Sequence, residues 1–284
     1  MKRVICFFIC VCFMMQSVVV FAEGNTDLGL NAKSAILMEE STGNILYESN
    51  PDERLPIASV TKVMTMLLIM EAVDSGKISL DDMVTVSGNA MSYGGSTMFL
   101  ETGEQLTVND MLKGIAVASA NDGCVAMAEH LAGSESAFVD MMNEKAKEIG
   151  ATNTHFVNCH GLHDDDHYTT AYDLYLIIKE FSKHDLAYVI DSLDTYDFTY
   201  TDADGNEQVV TIEPTNEFLT GEVNFPDGYS IGSWKTGTTE EALNCLIMEL
   251  KNDSTGEEYI ALVAGADGKE ALYSAMTELI NKAK

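Results

Sequence analysis

Apolar side chains fall on nearly every face of the stretch 59–73, where Val60, Val63, Met64, Met66, Leu67, Leu68 and Ile69 leave no polar stripe. A helix that is hydrophobic all round is buried on all sides, so this one is expected in the middle of the molecule. Upstream, residues 34–39 and 44–48 alternate apolar and polar positions around Ser41-Thr42-Gly43-Asn44, the pattern of a hairpin. Downstream, 108–118 and 122–132 carry a helical period and are broken at Ser119-Ala120-Asn121, with Asn121 suited to cap the second helix. Residues 136–149 predict a further helix closed by Gly150, and Thr170 caps another that runs to Phe181.

The period changes in the final third. Residues 196–201 and 208–212 flank Asp202-Ala203-Asp204-Gly205-Asn206, a hairpin signal. Three longer strands follow at 229–236, 243–250 and 258–264, and a helix over 269–283 closes the chain. Strands at both ends of a helical middle predict an α/β fold of the α+β kind. Its antiparallel sheet of about five strands comes from the two termini, is flanked by helices and carries an inserted helical lobe. That arrangement puts positions 59, 119 and 235 on three elements that can converge where lobe and sheet meet.

The ends and the charge narrow the picture. Residues 1–22 have a secretory layout: Lys2 and Arg3, an apolar run over 4–13, and Val20-Phe21-Ala22 as a small-residue cleavage site. An uncleaved anchor is the rival reading, interrupted by Gln16 and Ser17; both imply export. Residues 23–284 then form one unit, with four prolines in the whole chain, no linker and no β-rich second domain. A net charge of −29 repels phosphate backbones and anionic headgroups, which argues against nucleic acid as a partner. Cys124, Cys159 and Cys245 are too sparse for a disulfide framework and read as core thiols.

Three short motifs carry the candidate chemistry: Ser59-Val60-Thr61-Lys62, Ser119-Ala120-Asn121 and Lys235-Thr236-Gly237. Taken singly, Ser59 and Asn121 read as caps and Lys235 as a solvated strand lysine; their order in one chain is what suggests a site. Three residues apart on a helix, Ser59 and Lys62 share a face. A serine is a poor nucleophile until a base takes its proton, and a lysine serves only when burial or a second cation, here Lys235, lowers its pKa. Ser119 could relay a proton to a leaving amine, and Asn121 could hold a peptide group. Lys235 and Thr236 would clamp a carboxylate, Gly237 leaves room for close backbone approach, and the N–H groups of Ser59 and Thr238 are candidates for an oxyanion hole.

On these residues the chain resembles serine-type D-alanyl-D-alanine carboxypeptidases, the low-molecular-mass penicillin-binding proteins of peptidase family S11. The likeness runs over residues 30–268 and includes Ile57-Ala58-Ser59-Val60-Thr61-Lys62, Ala118-Ser119-Ala120-Asn121-Asp122, His155-Phe156-Val157-Asn158 with Gly161-Leu162, the run from His167 to Leu174, and Lys235-Thr236-Gly237-Thr238-Thr239 with Ala242. It implies a β-lactamase/transpeptidase-like fold and removal of the terminal D-alanine from peptidoglycan stem peptides. In that reading Ser59 is the acylated nucleophile, Lys62 the base, Ser119 the relay, and Asn121, Lys235, Thr236, Gly237 and Thr238 bind substrate. β-Lactams would acylate Ser59 as covalent inhibitors, with no metal or organic cofactor and a monomer as the working form. Cys159 stands where the family usually has proline, and Leu243 where glycine is frequent.

Other activities draw on parts of the same pattern. A D,D-endopeptidase of cross-links and a penicillin-binding sensor without turnover share the motifs. A class A β-lactamase needs a glutamate between the second and third motifs, yet the only Glu-x-x-Leu-Asn string, Glu240 to Asn244, follows the third. A metal peptidase draws on His155, Cys159, His160, His163, Asp164, Asp165, Asp166 and His167, although no His-Glu-x-x-His occurs.

Overall fold

In a computed structural model, residues 27–187, 195–201 and 207–283 are described; the leader at 1–22 and the hairpin tip at 202–206 lie outside them. Strands β1 (Ser34–Glu39) and β2 (Ile45–Ser49) form the expected hairpin. The expected buried helix follows, but it is divided: a 3₁₀ turn, Ala58–Thr61, carries Ser59, and α1 (Lys62–Asp74) begins after it. Then come β3 (Met83–Thr85), α2 (Gly88–Met91), β4 (Gln105–Thr107), α3 (Val108–Val117), α4 (Asn121–Ala132), α5 (Glu135–Glu148) and α6 (Ala171–Phe181). The last third holds β5 (Tyr196–Thr201), β6 (Glu207–Ile212), α7 (Glu217–Thr220), β7 (Tyr229–Thr239), β8 (Leu243–Asn252), β9 (Glu258–Ala266) and α8 (Lys269–Lys282).

The main sheet has five antiparallel strands in the order β2-β1-β9-β8-β7, so both ends of the chain build it. Both of its faces are covered. Ile36, Met38, Ile247, Ile260 and Leu262 pack with α1 in one core, whereas Ala35, Leu37, Leu246, Met248, Ala261 and Val263 pack under α8 in the other. For that reason residues 34–38 are buried on both sides of β1, and the expected polar face of the first strand is absent. The apolar side of α8, Leu272, Met276, Leu279 and Ile280, is spent on this sheet. Among the described residues no helix is long and apolar enough to cross a membrane.

α1 is the hub. It touches α3, α4, α5 and α6 and buries ten of its thirteen residues. Its start has no capping side chain, its first turn no acid and its last turn no base, so packing and not end chemistry holds it. The lobe helices use ordinary caps: Thr107, Ser134 and Thr170 each accept a backbone N–H at the start of α3, α5 and α6. α4 departs from expectation. Its N-cap is Ala120, with no side-chain cap, and Asn121 is instead the first residue of the helix, its amide directed to the Gly94 carbonyl.

Candidate active site

Ser59 reaches its place through a tight turn. Ala58 sits at φ +48°, in the left-handed region that costs a residue with a Cβ about 1 kcal/mol or more, and the strain is held from two sides by glycines. A Cβ on Gly161 would lie 1.9 Å from the Ala58 carbonyl oxygen, and one on Gly237 would lie 2.5 Å from that of Ile57 and 2.9 Å from the Ser59 nitrogen. Gly237 therefore lets edge strand β7 lie directly against the turn that carries Ser59.

Lys62 is fully buried, and its Nζ lies 2.8 Å from Ser59 Oγ and donates to the His160 carbonyl at 2.6 Å. Burial pulls its pKa down from 10.5 to about 8, while Cys124, Cys159 and Asp122 pull the other way. The depression thus comes chiefly from desolvation, the first of the two causes the sequence reading allowed. One proton can pass between this amine and the Ser59 hydroxyl without either group moving.

Ser119 takes up φ +57° two residues before α4, and its buried Oγ has no hydrogen-bond partner among the described residues. Asn121 donates Nδ2 to the Gly94 carbonyl at 2.7 Å and its backbone N–H to the Ser96 carbonyl at 2.8 Å, leaving Oδ1 without a partner there. Next to it, the buried Asp122 accepts from the N–H groups of Met98, Leu100 and Gly123. That carboxylate straddles Phe99, which is held at φ +59° and left 82% exposed.

Lys235 is completely buried on β7 and donates to the Thr236 carbonyl at 3.1 Å, so it is not the solvated strand lysine of the single-residue reading. The Thr236 hydroxyl bonds that of Thr215, and Thr238 donates to Asn244 Oδ1 at 3.2 Å. A cleft of about 280 Å³ is lined by Ser59, Ser119, Thr236, Gly237 and Thr238 from all three motifs. Lys62, Asn121 and Lys235 stand buried behind that wall. Thr215 and Ser96 also line the cleft, and nothing in their sequence surroundings marked them.

The donors crowded into 155–167 disperse to separate partners. His155 Nδ1 meets the Asp166 carbonyl at 2.6 Å, His163 faces Asp165, and His160 faces Glu135. His167 accepts the Val157 N–H on Nδ1, so Nε2 carries the proton donated to Thr61 at 2.8 Å. Burial lowers its pKa to about 4. Glu240, the glutamate of the β-lactamase-like string, lies exposed beyond the end of β7. The three cysteines are free and buried.

A profile of peptidase S11, D-alanyl-D-alanine carboxypeptidase, matches residues 21–268. The chain belongs to this family. It is 43% identical over 258 residues to the D-alanyl-D-alanine carboxypeptidase DacF of Bacillus subtilis, covering 90% of this chain and 63% of that protein. Penicillin binding protein 5 from Haemophilus influenzae superposes with a TM-score of 0.81 at 30% identity, over 91% of this chain and 72% of that one. The Streptomyces K15 DD-transpeptidase gives 0.79 at 25% identity, over 89% of this chain and 97% of that one. These S11 and transpeptidase likenesses agree with the five-stranded sheet and inserted lobe described above.

Proposed function

We propose that this S11 family member is a serine-type D,D-carboxypeptidase that removes the terminal D-alanine from peptidoglycan stem peptides through an ester on Ser59. The observation that carries the reading is the 2.8 Å contact between Ser59 Oγ and a fully buried Lys62 amine whose pKa is pulled down to about 8. A neutral amine takes the Ser59 proton as Oγ attacks the carbonyl of the penultimate D-alanine, forming a C–O bond. The developing oxyanion faces the Ser59 and Thr238 N–H groups. Ser119 passes the proton from Lys62 to the leaving nitrogen, the C–N bond breaks, and D-alanine departs. Water then attacks the ester and returns the proton to Ser59.

Lys235 supplies positive charge behind the cleft for the substrate carboxylate, which meets the hydroxyls of Thr236 and Thr238. The Oδ1 of Asn121 accepts a peptide N–H of the substrate. β-Lactams present a carboxylate and a strained amide to the same groups and acylate Ser59. No step draws on a metal or an organic cofactor. The protein acts as a monomer on the outer side of the cytoplasmic membrane, exported by the leader layout of residues 1–22, with 23–284 as its catalytic unit.

The test is D-alanine release from a diacyl-Lys-D-Ala-D-Ala peptide, with a chelator present, by wild type and Ser59→Ala. Release should survive the chelator, rise with pH as Lys62 loses its proton through about 8, and fall by several orders of magnitude in the variant. Wild type that cleaves cross-linked dimers but not this peptide would make it an endopeptidase. Acylation by penicillin without turnover would make it a sensor.

A further inference from the structure

One carboxylate outside the cleft touches both of the lobe segments that hold the catalytic groups. Glu135 opens α5, in the partly positive field of a helix start capped by Ser134. Its Oε1 accepts from the Cys159 N–H at 3.3 Å and from the Cys159 thiol at 3.4 Å, and it lies 3.4 Å from His160 Nε2. His160 Nδ1 accepts the Leu162 N–H, so the ring proton sits on Nε2 and points at Glu135. The same two peptide units are gripped from the opposite side by α1: Thr65 Oγ1 donates to the Cys159 carbonyl at 2.6 Å, and Lys62 Nζ to the His160 carbonyl at 2.6 Å.

The other oxygen, Oε2, accepts from Tyr93 OH at 2.7 Å, and the Tyr93 and His160 rings meet at 4.8 Å. Tyr93 immediately precedes Gly94, whose carbonyl receives the Asn121 amide, and lies three residues before Ser96, whose carbonyl receives the Asn121 N–H. Cys159 gains a purpose here. A proline at this position would have no N–H to give, whereas Cys159 supplies both an N–H and a thiol to the carboxylate.

We propose that Glu135 is a positioning residue that braces the 159–160 segment against Lys62 and the 93–96 segment against Asn121, so that base and substrate amide keep one geometry. The proposal rests on the Ser59 acyl-enzyme reading. Burial alone would raise the pKa of Glu135, but hydrogen bonds from His160 and Tyr93 outweigh it and hold the carboxyl at about 2, so it is an anion wherever Lys62 is neutral. The groups that face Lys62 are Ser59 and the His160 carbonyl, Asp122 and Cys124 from α4, and Cys159; Lys235 on β7 shares Cys124 as a neighbour. Glu135 faces Tyr93, Cys159 and His160, with Glu129 near Tyr93. If the brace is lost, the 159–160 segment loosens and water reaches Lys62, removing the desolvation that depresses its pKa.

The experiment is the rate of Ser59 acylation by a fluorescent penicillin between pH 6 and 10, for wild type, Glu135→Gln, Glu135→Asp and Tyr93→Phe, with a thermal melt of each. In Glu135→Gln the rate at neutral pH should fall on the order of tenfold to a hundredfold, the cost of misplacing a reacting group by a fraction of an ångström. The midpoint of the pH limb should also move upward from its wild-type value, and Glu135→Asp should recover part of both effects. Should Glu135→Gln fail to fold, Tyr93→Phe reads the same brace with a smaller shift in the same direction. An unchanged rate, or a loss equal at every pH with the midpoint unmoved, overturns the proposal while leaving Ser59 chemistry intact. Wild type that takes no label overturns the Ser59 reading itself.

Discussion

Asp122 is 2% exposed, and its two oxygens take up three backbone N–H groups, two of them flanking Phe99. Truncation at this point leaves those donors buried without partners, at about 1 kcal/mol or more each. Asp122→Ala should therefore lower the unfolding free energy by about 3 kcal/mol, which urea denaturation would read; a change under 1 kcal/mol would mean that the Met98 to Leu100 bend holds itself. The motif string made Asp122 visible as part of a resemblance, but its work was not legible, because its partners lie 22 and 24 residues upstream. Leu243 is the opposite case. The resemblance alone set a glycine against it, and the chain there does adopt φ +56°, the region where glycine pays no Cβ penalty.

At the scale of elements, the site is made by β7 lying against the 3₁₀ turn. Gly237→Ala would place a methyl 2.5 Å from the Ile57 oxygen, and that neighbour is backbone, so the strand itself must shift. Acylation of Ser59 should fall on the order of a hundredfold or more while the melting temperature changes far less, since β7 keeps its pairing with β8. Equal acylation in wild type and variant would show that the close approach is dispensable. Longer elements were read well from periodicity: the hairpins, the lobe helices and the three long strands all stand where expected, whereas the three-residue strands β3 and β4 and the four-residue helices α2 and α7, too short to show a period, were not foreseen. Element detail was not. Asn121 looked like a helix cap, yet a carbonyl at Gly94 claims its amide, and no local rule weighs a partner 27 residues away.

Across the whole molecule, His167 ties the loop after the lobe to the turn below Ser59 through Thr61. Its folded pKa, about 4, lies below the ordinary 6.5, so the unfolded chain binds the proton first as pH falls. Stability contributed by this group is full above pH 6.5 and is lost progressively down to about 4, by up to about 3 kcal/mol. Denaturation midpoints measured at pH 7 and pH 4.5 should differ accordingly, and His167→Gln should flatten that slope; an unaltered slope would place the acid sensitivity in other groups. Glu135, held at about 2, acts in a lower window, adding stability above the ordinary carboxyl range and losing it only as pH drops from 4.5 toward 2.

The sequence by itself determined the hairpins, the buried central helix, the lobe helices, the antiparallel sheet drawn from both termini and the identity of the three motifs, but not the β3–α2–β4 segment or α7. Each feature it determined rests on periodicity or on short strings, which local chemistry sets. Only the tertiary structure decided how the motif residues are placed: that burial depresses Lys62, that Lys235 is enclosed on β7, that Thr215 joins Thr236, and that Glu135 spans two segments. Those facts depend on desolvation and on contacts between residues far apart in the chain, and a one-dimensional pattern carries neither.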